Sequence, residues 1–210
     1  MIVDDHPIVR EGLAALLSGY PEFTVSALVE DVATALKTVD VDPPDVAVVD
    51  LSLKNESGLD LIQRINERNK SVRILAVSMH DENLYGQRVL AAGAMGYLSK
   101  QAASRRIVEA LRLILDGKVY LSEELTDRLV TRHLSGGKSE RASGVASLTD
   151  RELEVFTLIG NGLTTVEIGE KLHLSTKTIE THRQKIKLRL NLRNAAELSR
   201  AAAQWVVSNQ

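Results

Sequence analysis

The chain of 210 residues contains no cysteine. Disulfides, thiolate metal sites and a cysteine nucleophile are therefore excluded, and the composition suits a reducing compartment. It also lacks any run of about 18 apolar residues, so no membrane-spanning helix is expected. Acidic residues arrive by Asp4, too early for the apolar segment of a signal peptide. No internal repeat stands out. Charge of one sign is not in large excess either, since 26 Lys+Arg face 28 Asp+Glu. What is present is a 44% hydrophobic fraction, enough to build buried cores. The charges are unevenly placed: residues 1–118 carry a net −4, residues 119–147 balance, and residues 148–210 carry +2. Only the C-terminal part suits a polyanion, and there the position of each cation matters more than the excess.

The N-terminal part alternates short apolar runs with amphipathic stretches. Ile2-Val3 leads into an acidic pair, and residues 7–18 place Ile8, Val9, Leu13, Leu16 and Leu17 at helical spacing. Thr24 to Val29 reads as a strand and Val32 to Val39 as a helix. Val46-Ala47-Val48-Val49 is a near-continuous apolar run ending at Asp50, the pattern of a strand buried on both faces of a parallel sheet. A helix capped by Ser57 follows, then a strand 74–77 ending at Ser78. Residues 83–92 form a helix stopped at Gly93, 96–99 a strand ending at Lys100, and Ile107 to Leu115 a helix closed by Gly117. Five strands alternating with five helices predict an α/β domain: an open, five-stranded parallel sheet covered on both faces. The functional edge of such a sheet lies outside the carboxyl ends of its strands. Asp4, Asp5, Asp50, Ser78 and Lys100 all fall there.

Asp4, Asp5 and Asp50 brought together would repel one another unless a cation sat among them, and oxygen ligands suit Mg2+. The same ion would support in-line phosphoryl transfer onto a carboxylate. Lys100 adds a compact positive charge, and Ser78 a hydroxyl donor. Singly, each has an ordinary reading: the acidic pair a turn or cap, Lys100 a solvated lysine, Ser78 a loop hydroxyl, Tyr97 a half-buried core aromatic. The information lies in their order at successive strand ends.

Val3-Asp4-Asp5-His6-Pro7, Val49-Asp50-Leu51, Ser78 and Gly96-Tyr97-Leu98-Ser99-Lys100 resemble the receiver domain of bacterial two-component response regulators, over residues 2 to about 118. The resemblance implies a five-stranded, flavodoxin-like receiver fold, and that Asp50 accepts phosphate from a histidine kinase. It further implies that Asp5 and Asp50 bind Mg2+ directly, Asp4 largely through water, and Ser52 through its backbone carbonyl. Ser78 and Tyr97 would form a switch pair, with Tyr97 turning inward once Ser78 moves, and Lys100 would touch the phosphate. Two departures stand out. Only Met1-Ile2-Val3 precede the acidic pair, so either the first strand is short or the chain lacks its true beginning. Gln101 stands where proline is common in the family.

Residues 122–134 predict a further helix with Ser122 as cap, and Ser135 to Gly144 a flexible linker. Residues 119–147 are thus read as a linker region and 148–210 as an all-α domain of four helices. Thr149 with Glu152, and Thr164 with Glu167, form capping boxes, and Ser175 caps a third helix. The joint His173-Leu174 is the short turn of a helix-turn-helix. Leu172, Leu174, Ile179, Ile186 and Leu190 would face inward. Thr176, Lys177, Thr178, Glu180, Thr181, His182, Gln184, Lys185 and Arg189 would lie on or near the surface, where a recognition helix meets the major groove.

This stretch resembles the LuxR-type domain over about 148–207, placing the chain among NarL/FixJ response regulators. The resemblance implies binding of double-stranded DNA as a homodimer when phosphorylated, in the cytoplasm. Glu180, Thr181 and Gln184 would face bases, and Lys177, Thr178, His182 and Lys185 the backbone. Lysine is common where Glu180 stands, and alanine where Gly169 stands. A phosphorylation-independent DNA-binding regulator is the alternative within this class. A magnesium phosphatase is disfavoured because Ser52 stands where its second acid belongs, so no turnover of an outside substrate is expected. A purely protein-binding bundle is the remaining competitor.

Overall fold

The computed structural model describes residues 1–53, 56–134, 144–172 and 174–208. The expected flexible linker at 135–143 and His173 of the helix-turn-helix joint lie outside the described residues. The chain divides into two compact units, Met1–Leu134 and Ser135–Gln210.

In the first unit, β1 (Ile2–Val3), β2 (Leu28–Val29), β3 (Val46–Asp50), β6 (Arg73–Ser78) and β7 (Gly96–Ser99) form a parallel sheet ordered β2-β1-β3-β6-β7. β4 (Ser52–Leu53) and β5 (Glu56–Ser57) form a separate antiparallel hairpin. The helices are α1 (Pro7–Leu17), α2 (Val32–Val41), α3 (Gly58–Arg68), α4 (Glu82–Ala91), α5 (Lys100–Leu115) and α6 (Glu123–Leu134). Strand order reverses beside β1, which puts the switch point between β1 and β3, next to Asp4 and Asp50. On one face, Val48, Leu75, Val77 and Leu98 pack with Leu13 and Leu17 of α1 and Ile107, Leu111 and Ile114 of α5. The alternate strand residues point to the other face, where Leu61, Ile62 and Ile65 of α3 are fully buried. Burial on both faces accounts for the unbroken apolar runs in β3 and β6.

Three features differ from the sequence expectation. β2 shrinks from Thr24–Val29 to two residues, because the two residues of β1 offer it only two rungs. The β4–β5 hairpin was not anticipated, since two-residue strands carry no periodicity. α5 begins at Lys100 itself, with Ser99 as N-cap accepting from Gln101 N–H. The last strand therefore runs into its helix without a loop. No cis peptide occurs among the described residues, so Gln101 follows Lys100 through a trans bond.

α6 is docked within the first unit. Ser122 N–H donates to Glu82 Oε1 at 2.9 Å and Asn83 Nδ2 to Glu124 Oε1 at 3.3 Å. Leu125 is only 2% exposed and lies against Gly86 of α4, where a Cβ would fall 2.3 Å from Leu125 Cδ2. Just before α6, Tyr120 runs beside β7: Tyr97 N–H donates to its carbonyl at 3.0 Å, and its own N–H to Met95 O at 3.0 Å.

The second unit has a short 3-10 turn (Gly144–Ser147) and α7 (Asp150–Gly160), α8 (Thr165–Leu172), α9 (Thr176–Arg189) and α10 (Ala195–Ser208). The reciprocal Thr149–Glu152 capping box starts α7, Thr164 and Glu167 bond reciprocally ahead of α8, and Ser175 accepts from Thr178 N–H at the start of α9. Leu153, Phe156, Ile168, Ile179, Ile186, Leu198 and Ala202 are buried. Leu172, Leu174 and Leu190 are only half-buried. Gly160 admits α10 closely: a Cβ there would lie 2.5 Å from Ala202 O. Gly169 admits the turn into α9, with a Cβ position 2.8 Å from Leu174 O.

Candidate functional site

The carboxyl end of the sheet gathers the predicted acidic residues. β1 delivers Asp4 and Asp5, β3 delivers Asp50, and the junction of β7 with α5 delivers Lys100. Lys100 Nζ lies 2.7 Å from Asp4 Oδ2 and 2.7 Å from Asp50 Oδ2, so one ammonium bridges two strands. Asp50 is 2% exposed, and its Oδ1 accepts from Ser52 N–H at 3.2 Å. Asp4 Oδ1 accepts from His6 N–H at 2.8 Å, and the Asp4 carbonyl accepts from the Arg10 guanidinium.

Burial dominates the electrostatics of Asp50, pushing its pKa up to about 6 even though Lys100 opposes the rise and Ser52 N–H adds a smaller opposition. For Lys100, burial works against the ammonium, but the attraction of Asp50 and Asp4 outweighs it and its pKa is raised. The site thus confines more negative charge than its one lysine balances. Ligand atoms of Asp4, Asp5, His6 and Asp50 lie within 4.8 Å of one another. Asp5 Oδ1 is buried without a hydrogen-bond partner; His6 Nδ1 lies 2.7 Å away, an ion pair only when the imidazole is protonated. An orphaned carboxylate oxygen amid clustered acids fits a hard divalent cation.

Ser78 and Tyr97 meet around residue 80. Ser78 Oγ accepts from His80 N–H at 3.1 Å, and Tyr97 Oη donates to His80 O at 2.6 Å. Tyr97 is wholly buried rather than half-buried, and burial raises its phenol pKa. It already occupies the inward position that the sequence reading assigned to it after Ser78 moves, because the His80 carbonyl offers its hydroxyl a partner there. Sequence reasoning missed the His80 side chain, which bonds Ser52 Oγ through Nε2 at 2.8 Å and stacks on Tyr85 of α4 at 4.6 Å. It also missed His6. Adjacency to the acidic pair could have signalled His6; nothing in the sequence pattern pointed to His80.

In the second unit, Thr176, Lys177, Glu180, Thr181, Gln184 and Lys185 are exposed along α9, opposite buried Ile179 and Ile186. Three predicted residues are otherwise engaged. Thr178 Oγ1 shares a hydrogen bond with Ser175 Oγ in the cap. His182 is half-buried, with its pKa lowered by burial and by Arg151, which favours the neutral ring. Arg189 donates to Ser147 O at 2.6 Å and pairs with buried Glu152 at 3.2 Å, so it braces its own unit.

Two families match the chain: the response regulator receiver domain over residues 1–112, and bacterial regulatory proteins of the luxR family over residues 146–202. The chain belongs to the two-component response regulators with a LuxR-type DNA-binding domain. The oxygen regulatory protein NreC of Staphylococcus epidermidis is 34% identical over 203 residues, covering 94% of this chain and 93% of that protein. The response regulator UvrY of Escherichia coli is 31% identical over 209 residues, covering 100% and 95%. Among solved structures, RcsB of Salmonella enterica serovar Typhimurium, bound to promoter P1flhDC with phosphomimetic BeF3−, superposes with a TM-score of 0.58 at 26% identity, covering 97% and 96%. A LuxR-family response regulator from Aurantimonas gives 0.59 at 31% identity, covering 64% of this chain and 96% of that one. Within this family the acidic edge belongs to the receiver domain and α9 to the LuxR-type domain. No described helix is long and apolar enough to cross a membrane.

Proposed function

We propose that this protein acts in the cytoplasm, where Asp50 accepts a phosphoryl group from a histidine kinase, and that this phosphorylation controls dimerisation and sequence-specific DNA binding to regulate transcription. The observation that carries the reading is Lys100 Nζ at 2.7 Å from both Asp4 and Asp50, at a strand end where burial has already raised Asp50. An Asp50 oxygen attacks the phosphorus of a phosphohistidine. The O–P bond forms as the N–P bond breaks, the bonding pair stays on the ring nitrogen, and the imidazole leaves neutral because its other nitrogen already carries a proton. Asp5 and Asp50, with Asp4 and the Ser52 carbonyl, would hold Mg2+, which when bound offsets the negative charge of the carboxylates and the donor. Lys100 then follows the charge onto a phosphoryl oxygen, and Ser78 turns its hydroxyl from His80 N–H to donate to another. That movement disturbs residue 80, whose carbonyl holds Tyr97. Turnover of an outside phosphate ester is not expected, because the Ser52 side chain is bonded to His80 and supplies no acid.

In the second unit, Thr181 and Gln184 would read base edges, while Lys177 and Lys185 would contact phosphates. A second reading, DNA binding independent of phosphate, is favoured by Tyr97 already lying inward. DNA affinity and sedimentation of wild type and Asp50→Asn, each with and without beryllofluoride and Mg2+, separate the two. Wild type alone should dimerise and gain affinity with beryllofluoride. Equal affinity in all four states would establish the phosphate-independent reading.

A further inference from the structure

Helix α9 carries five Lys or Arg residues and one acid, Glu180. Glu180 lies on the exposed stripe with Lys177, Thr181 and Gln184, and its side chain is 54% exposed. A carboxylate on a surface that approaches DNA is repelled by phosphates, so an acid there works against binding unless a donor meets it.

The carboxylate is held rather than free. Thr165 Oγ1, at the first position of α8, donates to Glu180 Oε1 at 2.8 Å. Arg183 Nε lies 3.5 Å from the same oxygen, one turn along α9, with a side chain only 15% exposed. The bond from Thr165 ties together the two helices of the helix-turn-helix and fixes one oxygen. The second oxygen, Oε2, has no partner among the described residues. Arg183 stays inside, so it steadies the carboxylate without presenting its own fork outward.

We propose that Glu180 is a specificity-determining residue that accepts a hydrogen bond from the exocyclic amino group of a cytosine in the major groove, with Thr165 and Arg183 as positioning residues. This deepens, and rests on, the reading of α9 as the recognition helix. An ionised carboxylate only accepts. Guanine presents N7 and O6 and thymine O4, all acceptors, so both repel it. Adenine places its N6 amino group beside the N7 acceptor, which opposes the second carboxylate oxygen. Cytosine presents an amino group with no acceptor beside it on the same base. Prior fixing of the carboxylate lowers the ordering cost of that contact.

The test is selection of binding sites from a randomised duplex library by the full-length chain with beryllofluoride and Mg2+. Wild type should enrich cytosine at least about tenfold at one position of each half-site, in line with one good base contact. Glu180→Gln should move that position to adenine, whose N6 and N7 suit an amide, and Glu180→Lys should move it to guanine. Thr165→Val should broaden the same position and no other, while Thr165→Ser keeps it sharp. Impaired folding would instead lower affinity for all sequences alike. An unchanged preference in Glu180→Gln overturns the assignment, and an unchanged preference in Thr165→Val overturns the positioning role. If wild type enriches no sequence at all, the recognition-helix reading itself falls.

Discussion

Asp50 combines burial with a charge that burial opposes. Its carboxyl holds a proton more tightly in the folded chain, near pH 6, than at the ordinary value of 3.8. The folded state therefore binds more protons than the unfolded state between those values, and stability falls as pH rises through that window. Above about pH 6 the ionised group is a standing liability on the order of 3 kcal/mol in the absence of metal. Asp50→Asn should remove it, since Lys100 keeps Asp4 at 2.7 Å. In chelator, the variant is expected to melt above wild type at pH 7.5, with the difference closing near pH 4. Added Mg2+ should raise the wild-type midpoint more than that of the variant, because a ligand bound only by the folded state stabilises it. An Asp50→Asn midpoint equal to or below wild type in chelator would contradict the electrostatic account. The acid, the lysine and their order were legible in the sequence because each follows an apolar run. The His80 contacts were not, because they depend on how the loop after β6 turns back over Ser52 and Tyr97.

At the scale of elements, close approaches decide where the site residues stand. A Cβ on Gly58 would fall 1.9 Å from Asp50 O and 2.6 Å from Leu51 Cα, so only glycine lets α3 begin against the end of β3. Both neighbours are backbone and cannot rotate away. Gly58→Ala should destabilise the first unit by about 3 kcal/mol or more, read as a lower denaturant midpoint. Phosphorylation should weaken in parallel, because the displaced atoms belong to Asp50, the proposed acceptor. α6 depends on a different contact. Leu125→Ala removes a side chain that is 2% exposed, and a loss of about 2–4 kcal/mol is expected where the cavity cannot close. Amide exchange across 123–134 should then accelerate while α3 stays protected; uniform protection would show that Leu125 does not anchor the helix. Sequence spacing and Ser122 gave α6 its existence, and composition grouped it with the linker. Its docking was not legible, because Gly86 and Glu82 carry no mark of a partner so far along the chain. The hairpin β4–β5 escaped for the opposite reason, being too short for any pattern.

At the scale of the whole molecule, the chain forms two compact units of opposite net charge; the alternation of the first part and the helical caps of the second marked two kinds of architecture, and the charge followed from residue counts. The strand order 2-1-3-6-7 was not readable from those patterns, yet it sets the crevice in which Asp4 and Asp50 meet. β7 is a terminal strand of the sheet. A terminal strand presents unpaired N–H and C=O groups that can recruit another chain. Here Tyr120 occupies that side, bonded to Tyr97 N–H and Met95 O. A chain ending at Lys118 would keep all five strands but leave this flank bare. It should self-associate, by light scattering, at concentrations where a chain ending at Leu134 stays monodisperse. That outcome would make the segment leading out of the sheet a guard against aggregation.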